Sequence, residues 1–284
     1  MYLKKISNLN KQRNDSILNQ ITFLSRLFKK NGVEYVFLKG AALLKLKPYN
    51  TIKERMVGDI DILISEKDLL RAKHLLFSSG FEEVSKEFSF THGVLPKKNK
   101  RHLKRVVHPN FIAAVEIHFN LLDNNIGLFS SKEVLENKTK LSGDYWIPSR
   151  FHLWKHAVLN WQYNDNGMAL NYLGFRSLLD VLYLERKDFF EKINNSNRAI
   201  KQYYNLLSFY YNHYPAYFPL KKIVYEWQLR SSTFFKLNFF YNKLINFMFL
   251  SFSRIGFFLK SDVYRKRVLN NPKLFLKRFF EFFS

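Results

Sequence analysis

Apolar residues recur at helical spacing between residues 14 and 30, at Ile17, Ile21, Phe23, Leu24, Leu27 and Phe28. That period predicts a helix with one buried face, ended by the Asn-Gly pair at 31–32. The apolar run "VEYVFL", 33–38, reads as a strand. "KGAALLKL", 39–46, reads as a turn into a short helix, and "PYNTIKERMVG", 48–58, as a loop. "DIDILIS", 59–65, is a second strand, and "EKDLLRAKHLLFSSG", 66–80, an amphipathic helix closed by Gly80. Strand-like stretches follow at 81–95, 102–108 and 111–122. From about residue 148 the pattern turns helical, in "PSRFHLWKHAVLNWQY" and "LGFRSLLDVLYLERKDFF", and stays mostly helical and aromatic-rich to 284. The expected fold class is α+β. Residues 1–147 are expected to form a mixed sheet with flanking helices, and 148–284 a helical, basic domain.

Composition narrows the partners more than the fold. The chain is 47% apolar, enough to bury a core. It carries 46 basic and 23 acidic residues, a net charge of +23, which favours anionic partners: nucleotides, nucleic acid or an acidic membrane surface. With no cysteine, disulfides and thiolate zinc sites are excluded, and a cytoplasmic setting is expected. The N-terminus lacks the apolar segment of a signal peptide. The most membrane-like stretch, "LINFMFLSFS" at 244–253, is ten residues long, whereas a spanning helix needs about 20. No transmembrane helix is expected.

The strand at 59–65 holds the chemistry. Side chains alternate faces along a strand, so Asp59 and Asp61 share one face while Ile60 and Ile62 share the other. Two adjacent carboxylates raise each other's pKa unless a cation lies between them. Mg²⁺, or Mn²⁺ in its place, suits carboxylate and phosphate oxygens. A solvated edge-strand pair is the bland alternative. Three neighbours weigh against it. Lys39 and Gly40 sit between a strand and a helix, where free amides attract phosphate and a glycine admits close approach. In "AAVEIHFN" Glu116 and His118 share a face, which offers a third carboxylate to a metal site. Arg55, four residues before Asp59, is a candidate phosphate clamp.

In this order, "FLKGAALL…RMVGDIDILISEKDL…AKHLLFSSGF…VEIHFNLL" resembles the uncharacterised bacterial nucleotidyltransferases of the polymerase-β superfamily. The resemblance runs from about Tyr35 to Leu122, and more weakly through "FHLWKHAVLNW" and "FRSLLDVLYL". It implies a polymerase-β-like core in which Asp59, Asp61 and Glu116 are catalytic and hold the metal. It also implies that Lys39, Gly40 and Ala41 form the phosphate-binding turn. Ala41 stands where many relatives have Ser, and the interval from Gly40 to Asp59 is longer than the minimal pattern. The implied activity is Mg²⁺-dependent transfer of NMP from an NTP such as ATP to a small molecule, sugar, protein or RNA.

Other residues carry weaker readings. His152 and His156 share a helix face at a zinc-compatible spacing, but H-L-W-K-H lacks the protease glutamate and Lys155 opposes a cation. His118 and His156 are candidates for the acceptor side, a structural histidine being the alternative for His156. Arg176 and Asp180, four apart, read as a helix-surface ion pair, with an acceptor-side role as the alternative. The Phe-, Lys- and Arg-rich C-terminus reads as a helical subdomain. Peripheral attachment to an anionic membrane, or binding of single-stranded nucleic acid, is its alternative. Two rival functions remain at this point: a non-catalytic nucleotide-binding module, and a basic surface-binding protein.

Overall fold

The computed structural model describes residues 2–84, 101–123, 126–165, 167–170, 173–186, 188–189, 198–211 and 254–281, with isolated positions at 214, 244, 247–248 and 251–252. In chain order the elements are α1 (Tyr2–Lys30), β1 (Tyr35–Phe37), α2 (Lys39–Leu46), β2 (Asp59–Ile64), α3 (Leu69–Ser78), β3 (Glu82–Glu83), β4 (Val106–Val107) and β5 (Ala114–His118). Then come α4 (Ser131–Glu136), β6 (Lys138–Leu141), β7 (Tyr145–Pro148), α5 (Arg150–Leu159), a π-helical turn (Asn160–Asn164), α6 (Gly167–Leu170) and α7 (Phe175–Leu184). The last are α8 (Arg198–Tyr210), α9 (Asp262–Asn270) and α10 (Pro272–Glu281).

Two compact units result. The first takes in the described residues of Met1–Ser85, Lys100–Gly167 and Leu173–Ile200, and the second those of Met168–Tyr172 and Lys201–Ser284. The boundary expected after residue 147 lies at the end of β7, one residue before its last, Pro148. The α+β class holds: five strands in the order β1-β2-β5-β4-β3 form a mixed sheet, with β6-β7 a separate hairpin. β1 runs antiparallel to β2, β2 parallel to β5, and β4 antiparallel to both β5 and β3.

The expected helix of 14–30 is longer, starting at Tyr2. Of the six positions the period gave, Ile17, Ile21, Leu24 and Phe28 are fully enclosed, Leu27 is partly buried and Phe23 is exposed. Gly32, at φ +60°, ends it, with the Val33 amide returning to the Phe28 carbonyl. The same helix also carries polar residues inward. Gln20 bonds both the carbonyl and the amide of Ala113, at 2.8 and 3.1 Å, which fixes the entry to β5. Asn14 donates to the carbonyls of Ile52 and Arg55, and Arg13 to those of Val57 and Gly58. These bonds hold the loop that delivers β2.

β2 is buried on both faces beyond Asp59, as a central strand must be. The strand expected over 111–122 is shorter, because a turn closes at His108–Phe111 around Pro109 and delays pairing to Ala114. The strand expected over 102–108 is likewise reduced to β4. Of 81–95, only Glu82–Glu83 pairs, and 85–95 lies outside the described residues. Much of the aromatic C-terminal stretch also lies outside them. Among the described residues, no helix is long and apolar enough to cross a membrane.

Candidate active site

β2 and β5 position the acids. Their parallel register sets Asp61 opposite Glu116 and Leu63 opposite His118, while Asp59 faces Ala114 one step earlier along the same face. Asp61, Glu116 and His118 are buried, and Asp59, where the strand begins, is partly open. The shared face inferred from alternation is therefore real, and the pairing of two strands brings the three acids together.

Basic side chains already lie against them. Lys39 Nζ and His118 Nε2 each sit 2.7 Å from Asp61 Oδ1. Arg105 donates from Nε and Nη2 to Glu116 Oε1, at 3.0 and 2.6 Å, and from Nη2 to Asp59 Oδ2 at 3.0 Å. Burial would push the Asp61 carboxyl up, but Lys39 and His118 hold it well below the usual carboxylate range. Glu116 is lowered to about 2 by His118, 3.7 Å from its Oε2, and by Arg105, against the opposing effect of burial. Asp59 moves the other way. Burial and the charges of Asp61 and Glu116 raise its pKa, and Lys39 and Arg105 offset only part of that.

The turn before α2 adds an anion-seeking surface. Its N-cap, Leu38, gives no side-chain cap, so the first amides of α2 lack the usual partner. Lys39 itself carries the positive φ of this turn, +46°, and aims its ammonium at Asp61. Gly40 has a reason beyond ligand approach: a Cβ there would stand 2.9 Å from Val57 Cγ2 and 3.1 Å from Cγ1. Ala41 is buried in α2 and is not among the pocket-lining residues.

These groups open on a pocket of about 630 Å³. One wall holds Lys39, Gly40, Asp59, Asp61, Arg105 and Glu116, and the facing wall comes from α5, the π-helical turn and α7. Asn160 organises that far wall. Its Oδ1 accepts from Arg101 Nη1 at 3.1 Å and from Asn164 at 2.9 Å, and its Nδ2 donates to Asp165 at 2.9 Å. His156 and Arg176 also line the pocket. His156 is buried, and its pKa is lowered to about 3, first by burial and then by Lys39 and His118.

Several residues sit differently from expectation. Asp180 does not form a surface pair with Arg176. It is buried and accepts Nε and Nη2 of Arg55 at 2.7 and 2.9 Å, while the Tyr49 hydroxyl also donates to it. The Arg55 guanidinium is thus committed to a carboxylate and to the Met56 carbonyl. His118 stands between two acids, 2.7 Å from Asp61 Oδ1 and 3.7 Å from Glu116 Oε2. His152 bonds Ser149 and Glu133, so it is not paired with His156 around a metal. Arg105, Arg101 and Asn160 carry no motif. Arg105 could have been found only from pairing: β4 sets Val106 opposite Val115, and the antiparallel direction carries Arg105 toward Glu116.

Donor chemistry decides whether a metal fits. Donor atoms of Asp61, Glu116 and His118 all lie within 4.8 Å of one another, the sole such group among the described residues. Asp59 adds a further carboxylate on the same face. Such oxygen-rich donors suit Mg²⁺ or Mn²⁺. His118 spends Nε2 on Asp61 and so orients that carboxylate.

Compared with known protein families, residues 1–201 match the model described as uncharacterised nucleotidyltransferase. The chain belongs to this family. The match spans every residue of the pocket, both carboxylate strands and the far wall. The segments "LKG" and "RMVGDID", on which the resemblance rests, both lie within the matched range of this nucleotidyltransferase family. A comparison with curated proteins found no match.

Proposed function

We propose that the protein transfers a nucleoside monophosphate from an NTP, such as ATP, to an acceptor nucleophile with the aid of Mg²⁺ or Mn²⁺. The observation that carries this reading is the register pairing of Asp61 with Glu116, with Asp59 on the same face, beside the uncapped start of α2. Asp59, Asp61 and Glu116 are the residues that would hold the cation. When bound, the cation supplies polarisation of the α-phosphate and a lowered proton affinity at the acceptor. The backbone amides of the turn at Lys39 and Gly40 receive triphosphate oxygens, and the helix dipole favours the charge there. The acceptor oxygen attacks the α-phosphorus, the bond to the β-phosphate oxygen breaks, and pyrophosphate leaves. A base role for Glu116 requires Arg105 to leave Oε1, toward which two of its donors now point. The far wall of Arg101, Asn160, His156, Asp165 and Arg176 is the acceptor side in this reading.

A labelling experiment tests it. The protein is incubated with Mg²⁺ or Mn²⁺ and NTP labelled at the α- or the γ-phosphate, in an extract of the source cells. The Asp59→Asn/Asp61→Asn double variant is the control. Label transferred from the α position alone, and lost in the variant, supports the reading and tags the acceptor. Transfer from the γ position would replace it with a kinase. Absence of both transfer and metal-dependent NTP binding would remove it.

A further inference from the structure

Arg105 occupies ground that a divalent cation needs. Its guanidinium bridges two of the three acids, with Nη2 on both Glu116 Oε1 and Asp59 Oδ2 and Nε on the same glutamate oxygen. Among the described residues, these two carboxylates are its hydrogen-bond partners. A guanidinium and a divalent ion compete for that oxygen, because their like charges would lie a few ångströms apart in a half-buried cleft.

The exposures say which cation is free to move. The Arg105 side chain is 49% exposed, the Lys39 side chain 26% and the Arg55 side chain 10%. Arg55 is locked on Asp180, and Lys39 sits on Asp61 from the turn before α2. Arg105 is instead carried just ahead of the two-residue strand β4, at the rim of the pocket. Its planar fork matches phosphate oxygens as well as it matches carboxylate.

We propose that Arg105 is an exchangeable counter-ion. It holds Asp59 and Glu116 together in the metal-free protein and passes to the triphosphate when a divalent cation takes its place. The nature of the anion rests on the nucleotidyl-transfer reading. The exchange couples the two ligands: metal frees the arginine that nucleotide needs, and nucleotide holds the arginine off the metal's oxygens. Such coupling is reciprocal by thermodynamic necessity.

The test is Mn²⁺ binding, read by the signal of free Mn²⁺ in electron paramagnetic resonance, with and without α,β-methylene ATP. The proteins are the wild type, Arg105→Gln, Arg105→Lys and Asp59→Asn/Asp61→Asn. In the wild type the analogue tightens Mn²⁺ binding, within the roughly 5- to 150-fold range usual for coupled sites. Arg105→Gln binds Mn²⁺ alone about tenfold tighter than wild type and loses most of the enhancement by the analogue, and Arg105→Lys falls between. Melting provides the folding control. Metal-free Arg105→Gln melts below wild type because its acids repel, and Mn²⁺ restores it by a larger shift than wild type shows. If Arg105→Gln binds Mn²⁺ no tighter than wild type while the aspartate variant loses binding, the exchange is overturned and the metal site stands. If Mn²⁺ binds none of the proteins, with or without the analogue, both readings are overturned.

Discussion

Arg55 and Asp180 form a bidentate ion pair, at 2.7 and 2.9 Å, across 125 residues of sequence. It joins the loop before β2 to α7, with both side chains 10% exposed. Burying such a pair is costly, and breaking it more so, because the survivor is left charged and without its partner. Arg55→Ala and Asp180→Ala are each expected to destabilise by about 3–5 kcal/mol in urea unfolding, and the double variant by less than the sum. Arg55→Lys should not rescue, since an ammonium cannot supply the fork. Strictly additive losses would show that the pair is not coupled.

Gly40→Ala should act through Val57. The new Cβ meets both Val57 methyls, and Val57 is buried. Overpacking of this kind costs about 1–3 kcal/mol. Val57→Ala in the same chain should recover part of that loss, which a double-mutant cycle of unfolding free energies reads directly. No coupling between positions 40 and 57 would contradict the contact.

His156 should make stability depend on pH. Burial keeps it neutral in the folded chain down to about 3, whereas the unfolded histidine protonates near the ordinary histidine value of 6.5. Between those values the unfolded state binds more protons, so stability falls as pH falls, by up to about 1.4 kcal/mol per unit. Urea unfolding at about pH 7.5 and about pH 5 should show wild type losing roughly 2 kcal/mol more than His156→Gln over that interval. Equal losses would mean that His156 is solvated in the fold.

Gln20→Ala should damage the site from a distance. It removes the two bonds to Ala113, whose amide and carbonyl then lie buried without a partner. A loss of about 2–3 kcal/mol is expected. Weaker Mn²⁺ binding should accompany it, because Ala113 immediately precedes the strand that carries Glu116. Unchanged melting would show that water replaces the amide.

Local chemistry was legible in the sequence where one segment suffices. The stripe on α1, the alternation along β2 and the shared face of Glu116 and His118 all follow from a single period, and each is present. Partners from distant segments were not legible. Asp180 reads as the i,i+4 mate of Arg176 because that distance is visible along a helix, while Arg55 lies far off in sequence. Arg105 was not singled out in the sequence, because only the pairing of β4 with β5 brings it to Glu116. The lysine at the turn was found, but its positive φ was not, since nothing in the sequence marks a lysine for that conformation. Strand lengths were overestimated wherever a turn such as His108–Phe111 interrupts an apolar run.

The parallel pairing of β2 with β5 also sets when the site can exist. Asp61 and His118 are 57 residues apart in sequence, and the crossover between their strands must be laid down before they meet. Contacts of that range are late and slow to form, because loop closure precedes any gain from them. A chain still emerging during synthesis, with β2 made but β5 not, has the Asp-x-Asp strand and no third acid. On the nucleotidyl-transfer reading, Mn²⁺ binding is therefore expected to follow the crossover in a refolding time course, not to nucleate the fold as zinc does a zinc finger.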